Sequence, residues 1–98
     1  MRRPPMDQHA LERIRNALDK AEQAARAARL DSCDTTDIGE AAEAVRQQLR
    51  LQHPSPNTLT LYLNSIARSL IGLAPARDAL EDIDAALREA GLPATWEQ

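Results

Sequence analysis

The chain has 98 residues and a mass of 10.8 kDa, the size of one domain, which excludes a multidomain enzyme with a separate cofactor domain. Of the apolar residues 18 are alanine and 19 are leucine, isoleucine or valine, with no phenylalanine, so the core must be built from small and aliphatic side chains. Twelve basic residues against 15 acidic ones give a formal charge of -3, weak enough in self-repulsion to permit folding and opposed to any global basic field for nucleic acid.

Residues 1–6, Met-Arg-Arg-Pro-Pro-Met, read as a flexible N-terminal tail. The tail is basic, but no apolar stretch follows it, so it is not a secretory signal. No apolar run approaches the ~18 residues of a membrane span. Cys33 is the only cysteine, which forbids an intrachain disulfide and suits a reducing compartment. The expectation is a cytoplasmic protein without membrane contact. Eleven of the 12 basic residues are arginine, which points to a GC-rich bacterial genome.

Asp7 to Leu30 reads as the first and longest helix. Pro4 and Pro5 bar an earlier start, and Asp7 is placed to cap it. Leu11, Ile14, Leu18, Ala21, Ala25 and Ala28 are spaced as a heptad seam. The seam is a candidate surface for homodimerisation, because its alanine end can approach another backbone closely. Glu22 and Arg26 have the spacing of an i,i+4 pair.

Asp31 to Asp37 reads as a polar break. Asp37 and Glu40 have capping-box spacing, so the second helix is predicted to begin at Ile38 and fade near Leu51, at about half the length of the first. Its inward stripe is Ile38, Ala42, Val45 and Leu49. His53-Pro54-Ser55-Pro56 interrupts the chain, and Ser55 followed by Pro56 is the cap and first residue of a third helix. Leu59, Leu63, Ile66, Leu70 and Leu73 give that helix a wide apolar face and mark it as central. Leu63, Ile66 and Leu70 should be its most buried residues. Pro75 suits the first position of a fourth helix, with Ala76, Ala79, Leu80, Ile83, Leu87 and Ala90 inward and Gly91 as its stop. Leu92 can fold back on Leu87, and residues 92–98 form a C-terminal tail.

Four helices and short loops predict an all-α fold, a small four-helix bundle with a long first helix, forming a single domain over residues 1–98. Convergent reactive groups are missing, so no catalytic, metal-binding or cofactor-binding residues are expected. His9 and His53 have no metal-ligand spacing, and Cys33 lies between Asp31 and Asp34, whose charge disfavours a thiolate. Asp31, Asp34 and Asp37 lack the glycine and closing glutamate of a calcium loop. The protein is expected to work by binding rather than by catalysis.

Two surfaces are candidates for that binding. Glu40 to Asn64 contains Ala44-Val45-Arg46 and Leu49, then Ser55-Pro56-Asn57-Thr58-Leu59 and Tyr62-Leu63. This segment resembles the helix-turn-helix of bacterial DNA-binding regulators and is loosely similar to the N-terminal module of KfrA-type plasmid proteins. The resemblance implies a recognition helix presenting Asn57, Thr58, Thr60, Leu61 and Asn64 to the major groove, with Arg46, Arg50 and Arg68 on phosphates. Asparagine can read adenine bidentately. The predicted recognition helix has no basic residue before Arg68, however, whereas phosphate contacts dominate DNA affinity. The leading expectation is therefore a protein-binding regulator or adaptor, whose partner is another protein or a second copy. Leu61, Asn64, Arg68 and Trp96 are its candidate contact residues. Leu61 falls among polar residues opposite the apolar face, and tryptophan is enriched at binding hot spots; the alternative for Trp96 is that it folds back to cap the bundle, since a small core without phenylalanine needs its area.

Overall fold

The first helix, α1 (Gln8–Ala27), buries Ile14, Ala17, Leu18, Ala21, Ala24 and Ala25 along one side. The heptad seam therefore exists as a face, but the chain itself covers it. Ile14 and Leu18 are completely buried, Leu11 and Ala28 partly so, and the alanines seat the neighbouring helices. The seam is a core surface, not a free dimerisation surface. Residues 8–96 are those described by the computed structural model, so Asp7 and the tail over residues 1–6 lie outside them.

α1 ends earlier than its pattern suggests. Arg29 takes a left-handed conformation (φ 54°), and Leu30 N–H donates to Ala25 O at 3.4 Å. This is the 6→1 bond of a Schellman end, made here without glycine. The turn lets the next helix start at once. Asp31, not Asp37, is its cap: Asp31 Oδ1 accepts from Asp34 N–H at 2.9 Å. α2 (Ser32–Leu49) consequently includes the polar stretch expected to be a loop. At 18 residues it nearly matches the 20 of α1 instead of being half as long. Its buried side is Ile38, Ala41, Ala42, Val45 and Leu49.

Ser55 caps α3 (Pro56–Leu70) as expected: its Oγ accepts from Thr58 N–H at 3.3 Å, and Pro56 occupies the first turn. Gln48 Oε1 also accepts from Ser55 N–H at 2.8 Å and ties the connection back to α2. Leu59, Leu63, Ile66, Ala67 and Leu70 point inward, and Leu63, Ile66 and Leu70 are essentially inaccessible. Pro75 falls in a 3-10 turn (Ala74–Ala76) that leads into α4 (Arg77–Glu89), so it precedes the fourth helix instead of opening it. Gly91 (φ 74°) ends that helix in the same 6→1 manner, with Leu92 N–H donating to Leu87 O at 2.8 Å.

α1 and α4 run antiparallel, since His9 and Arg13 pair with Glu89 and Lys20 with Asp82. Arg46 of α2 meets Asp19 and Glu22 of α1, and Glu89, near the end of α4, meets His9 and Arg13, near the start of α1. α1 packs most closely against α4, and α2 against α3. α1 also touches α2, α3 and the 3-10 turn, which makes it, and not α3, the most connected element. Its alanines explain this, since small side chains let several neighbours approach one helix. The result is an all-α four-helix bundle among the described residues, with α1 longest and a radius of gyration of 12.9 Å. No helix is long and apolar enough to cross a membrane.

Candidate functional surface

The outer side of α3 presents Asn57, Leu61, Ser65 and Arg68 to solvent. On a helix of about 100° per residue these positions lie within about 40° of Leu61. Leu61 is 62% exposed, the most exposed large apolar side chain in the described chain. Leu51 and Ile71 are the other two, and they sit at the ends of α2 and α3, not on this face.

Asn64 was expected on the same surface, but it is 2% exposed. The C-terminal segment covers it. Asn64 Nδ2 donates to Thr60 O at 2.7 Å and to Pro93 O at 3.0 Å, and Oδ1 accepts from Thr95 N–H at 2.7 Å and Trp96 N–H at 3.1 Å. Both amide hydrogens and the carbonyl oxygen are therefore used within the chain. Asn64 is a structural clasp and is unavailable to a base edge or a partner. A polar residue next to an apolar stripe carries no sign of which of its neighbours will fold over it, so sequence reasoning missed this role.

Trp96 is drawn in by the same segment. It is half-buried and packs against the core together with Leu92 and Ala94. Its Nε1–H is sealed from solvent and has no acceptor among the described residues. Asp84 Oδ1 of α4 is likewise sealed and unpaired, while its Oδ2 meets Arg88 at 3.1 Å. Arg68 remains exposed but donates from Nη2 to Thr95 Oγ1 at 3.1 Å.

The side chains implied by the helix-turn-helix resemblance separate in the same way. Asn57 and Arg50 are exposed. Thr58 is half-buried in the first turn of α3, and Thr60 donates its hydroxyl proton to Pro56 O at 2.8 Å. Arg46 Nη2 is held 3.0 Å from Asp19 and in contact with Glu22, so Glu22 serves α2 instead of the expected Arg26. The hydrogen bond that Arg46 donates to Glu22, aided by the charge of Glu22 and by Asp19, raises the pKa of Arg46 above its ordinary value. Arg46 is thus committed to joining α1 and α2. Arg15, Asp19, Arg46 and Arg50 line a shallow depression, in which Arg15 and Arg50 have no carboxylate partner among the described residues.

Chemistry is sparse elsewhere. Among the described residues no group of three or more His, Cys, Asp or Glu side chains could hold a metal ion. Cys33 is exposed on the first turn of α2. Comparison of the chain with protein families, curated proteins and solved structures finds no match.

Proposed function

We propose that this is a small intracellular binding protein, a regulator or adaptor of bacterial origin, that engages another protein through the outer face of α3. One observation carries the reading. Leu61 stands exposed in the middle of a rigid, well-capped helix, ringed by Asn57, Ser65 and Arg68. A lone aliphatic side chain within a polar rim has the composition of a contact centre, where an apolar anchor enters a pocket and the rim excludes water. The nucleic-acid reading retains Asn57 and Arg68 on this face. It loses Asn64 to the C-terminal segment and Arg46 to Asp19 and Glu22, so few free cations remain to release counterions.

The test uses three purified proteins: wild type, Leu61→Glu and Arg68→Ala. A partner recovered with wild type is purified and its affinity measured by calorimetry. Abolition of binding by Leu61→Glu with a smaller loss from Arg68→Ala supports the reading. Titration with random duplex DNA at two salt concentrations completes it. Steeply salt-dependent binding that Arg68→Ala weakens and Leu61→Glu spares would replace the reading with the nucleic-acid one.

A further inference from the structure

Arg15 of α1 and Arg50, the C-cap of α2, converge on the seam between the two helices. Arg15 lies one turn before Asp19, and Arg50 one turn beyond Arg46. Together the four side chains line a shallow depression of about 270 Å³. Arg15 and Arg50 are exposed and have no carboxylate partner among the described residues. Like charges on neighbouring helices repel, and the depression supplies no free acid to offset them. Its one carboxylate, Asp19, is committed to Arg46 at 3.0 Å.

Arg46 is an anchored donor with capacity to spare. Asp19 and Glu22 both accept from the same nitrogen, Nη2, so the Nε–H and the Nη1 hydrogens have no acceptor among the described residues. Of the two acids Asp19 is the looser partner, 64% exposed against 24% for Glu22. Three guanidinium groups against Asp19 and Glu22 leave one positive charge uncompensated. With Asp19 turned out to solvent, three against Glu22 alone leave two. A phosphate monoester carries about −1.5 to −2 at neutral pH and three acceptor oxygens. The guanidinium fork matches phosphate bidentately. A longer polyanion fits less well. Glu12 and Glu43, three residues before Arg15 and Arg46 and on the same sides of their helices, are exposed along the seam.

We propose that the depression between α1 and α2 binds a phosphate monoester, held by Arg15, Arg46 and Arg50, with Asp19 as the carboxylate that the ligand displaces. The site does not involve Leu61 and stands whether or not the outer face of α3 binds a partner.

The test is titration of the full-length protein with inorganic phosphate at constant ionic strength, followed by NMR of the backbone amides. The amides of Arg15, Asp19, Arg46 and Arg50 should shift saturably, with a dissociation constant of about 1 mM for a few charge-assisted bonds at a solvated site. Arg15→Gln and Arg50→Gln should each weaken binding about tenfold, the effect of losing one such bond. Arg77→Gln removes the same charge from an exposed position on α4 and should leave the affinity unchanged. Asp19→Asn should tighten binding about fivefold, because it removes the competing carboxylate. Acetate should bind about tenfold more weakly than phosphate. A short phosphoserine peptide separates two sources of the group. Tighter binding than inorganic phosphate assigns the site to a modified side chain of a partner, and equal or weaker binding to a free phosphate compound; both results support the site. Absence of saturable shifts at these four residues overturns the proposal. Equal weakening by Arg77→Gln also overturns it, since the effect is then one of net charge alone. So does duplex DNA that binds more tightly than phosphate and is weakened by Arg15→Gln and Arg50→Gln, which would give the depression to a nucleic-acid backbone.

Discussion

Polar side chains join α1 to α4 and the C-terminal segment to α3, but the two seams place them differently. Along α1 and α4 the pairs are His9–Glu89 at 3.0 Å, Arg13–Glu89 at 3.3 Å and Lys20–Asp82 at 2.8 Å, all substantially exposed. They flank an interface between two helices with apolar sides, α1 burying Ile14, Leu18 and Ala21 and α4 burying Ala79, Ile83 and Ala86. Exposed pairs of this kind contribute about 0–1 kcal/mol each, so apolar burial holds that seam. On α3 one neutral amide, 2% exposed, makes four hydrogen bonds. Removing it would leave partly buried backbone groups unpaired, at about 1–3 kcal/mol for each group that water cannot reach. Burial, more than charge, decides which stitch matters.

Substitutions can break this comparison at either end. Leu70→Ala sets the scale, because it opens a cavity in a fully buried site and should cost about 2–5 kcal/mol in chemical denaturation. An unchanged denaturation midpoint would mean that the inner face of α3 is not core. Asn64→Ala should come next, at about 1–3 kcal/mol. Its signature is local as well as global: Trp96 emission should move to the red in the folded protein as the segment loosens. A variant that loses stability while keeping native emission would show that Asn64 supports α3 and not the tail.

The helical elements were legible because their signals are local. Ser55-Pro56 capped α3 where expected, and the spacing of Leu63, Ile66 and Leu70 located the core. The α1–α2 corner was not legible, because a left-handed arginine ends α1 where glycine would have been the recognisable sign. Without that stop, α1 ran on to Leu30 and the true cap at Asp31 was passed over. Exposure on the outer face of α3 was legible only in part, for a related reason. Leu61 and Arg68 are exposed because helical phase alone places them. The burial of Asn64, and the choice between a free and a folded-back Trp96, depend on a contact between positions about 30 apart in the chain, which no periodicity encodes.

Weaker effects sharpen the other side of the comparison. Arg46→Ala removes contacts to both Asp19 and Glu22 at a site only 28% exposed, and should cost about 1 kcal/mol in thermal unfolding. A cost as large as that of Asn64→Ala would refute the ranking by burial. Lys20 tests the exposed seam through pH. Its hydrogen bond to Asp82, and then the charge of Asp82, raise its pKa above the ordinary value. A raised pKa stabilises the fold while lysine is protonated, so the contribution is complete below the unfolded value of about 10.4 and is lost as pH rises through the folded one. The stability difference between wild type and Lys20→Gln should therefore be small and flat from about pH 6 to 9, and should shrink only above about 10.4. A difference that changes near neutrality would implicate another group.

Leu61→Glu should have the smallest effect on the fold, and for that reason it isolates function. Leucine and glutamate have similar helix propensities, and position 61 lies inside α3, away from both termini and their partial charges. The side chain is 62% exposed, so little apolar area is lost to water when it is replaced. Substitutions of this kind usually change stability by less than about 0.5 kcal/mol, and the melting curve should overlay that of wild type. Binding should respond in the opposite sense. A carboxylate driven into an apolar pocket on a partner must be desolvated without a counter-charge, and even modest burial costs several kcal/mol, enough to abolish a complex of ordinary affinity. Unchanged melting with lost partner binding is the outcome that separates the outer face of α3 from its inner one. A drop in stability comparable to that of Asn64→Ala would instead place Leu61 within the packed structure and remove it from the candidate surface.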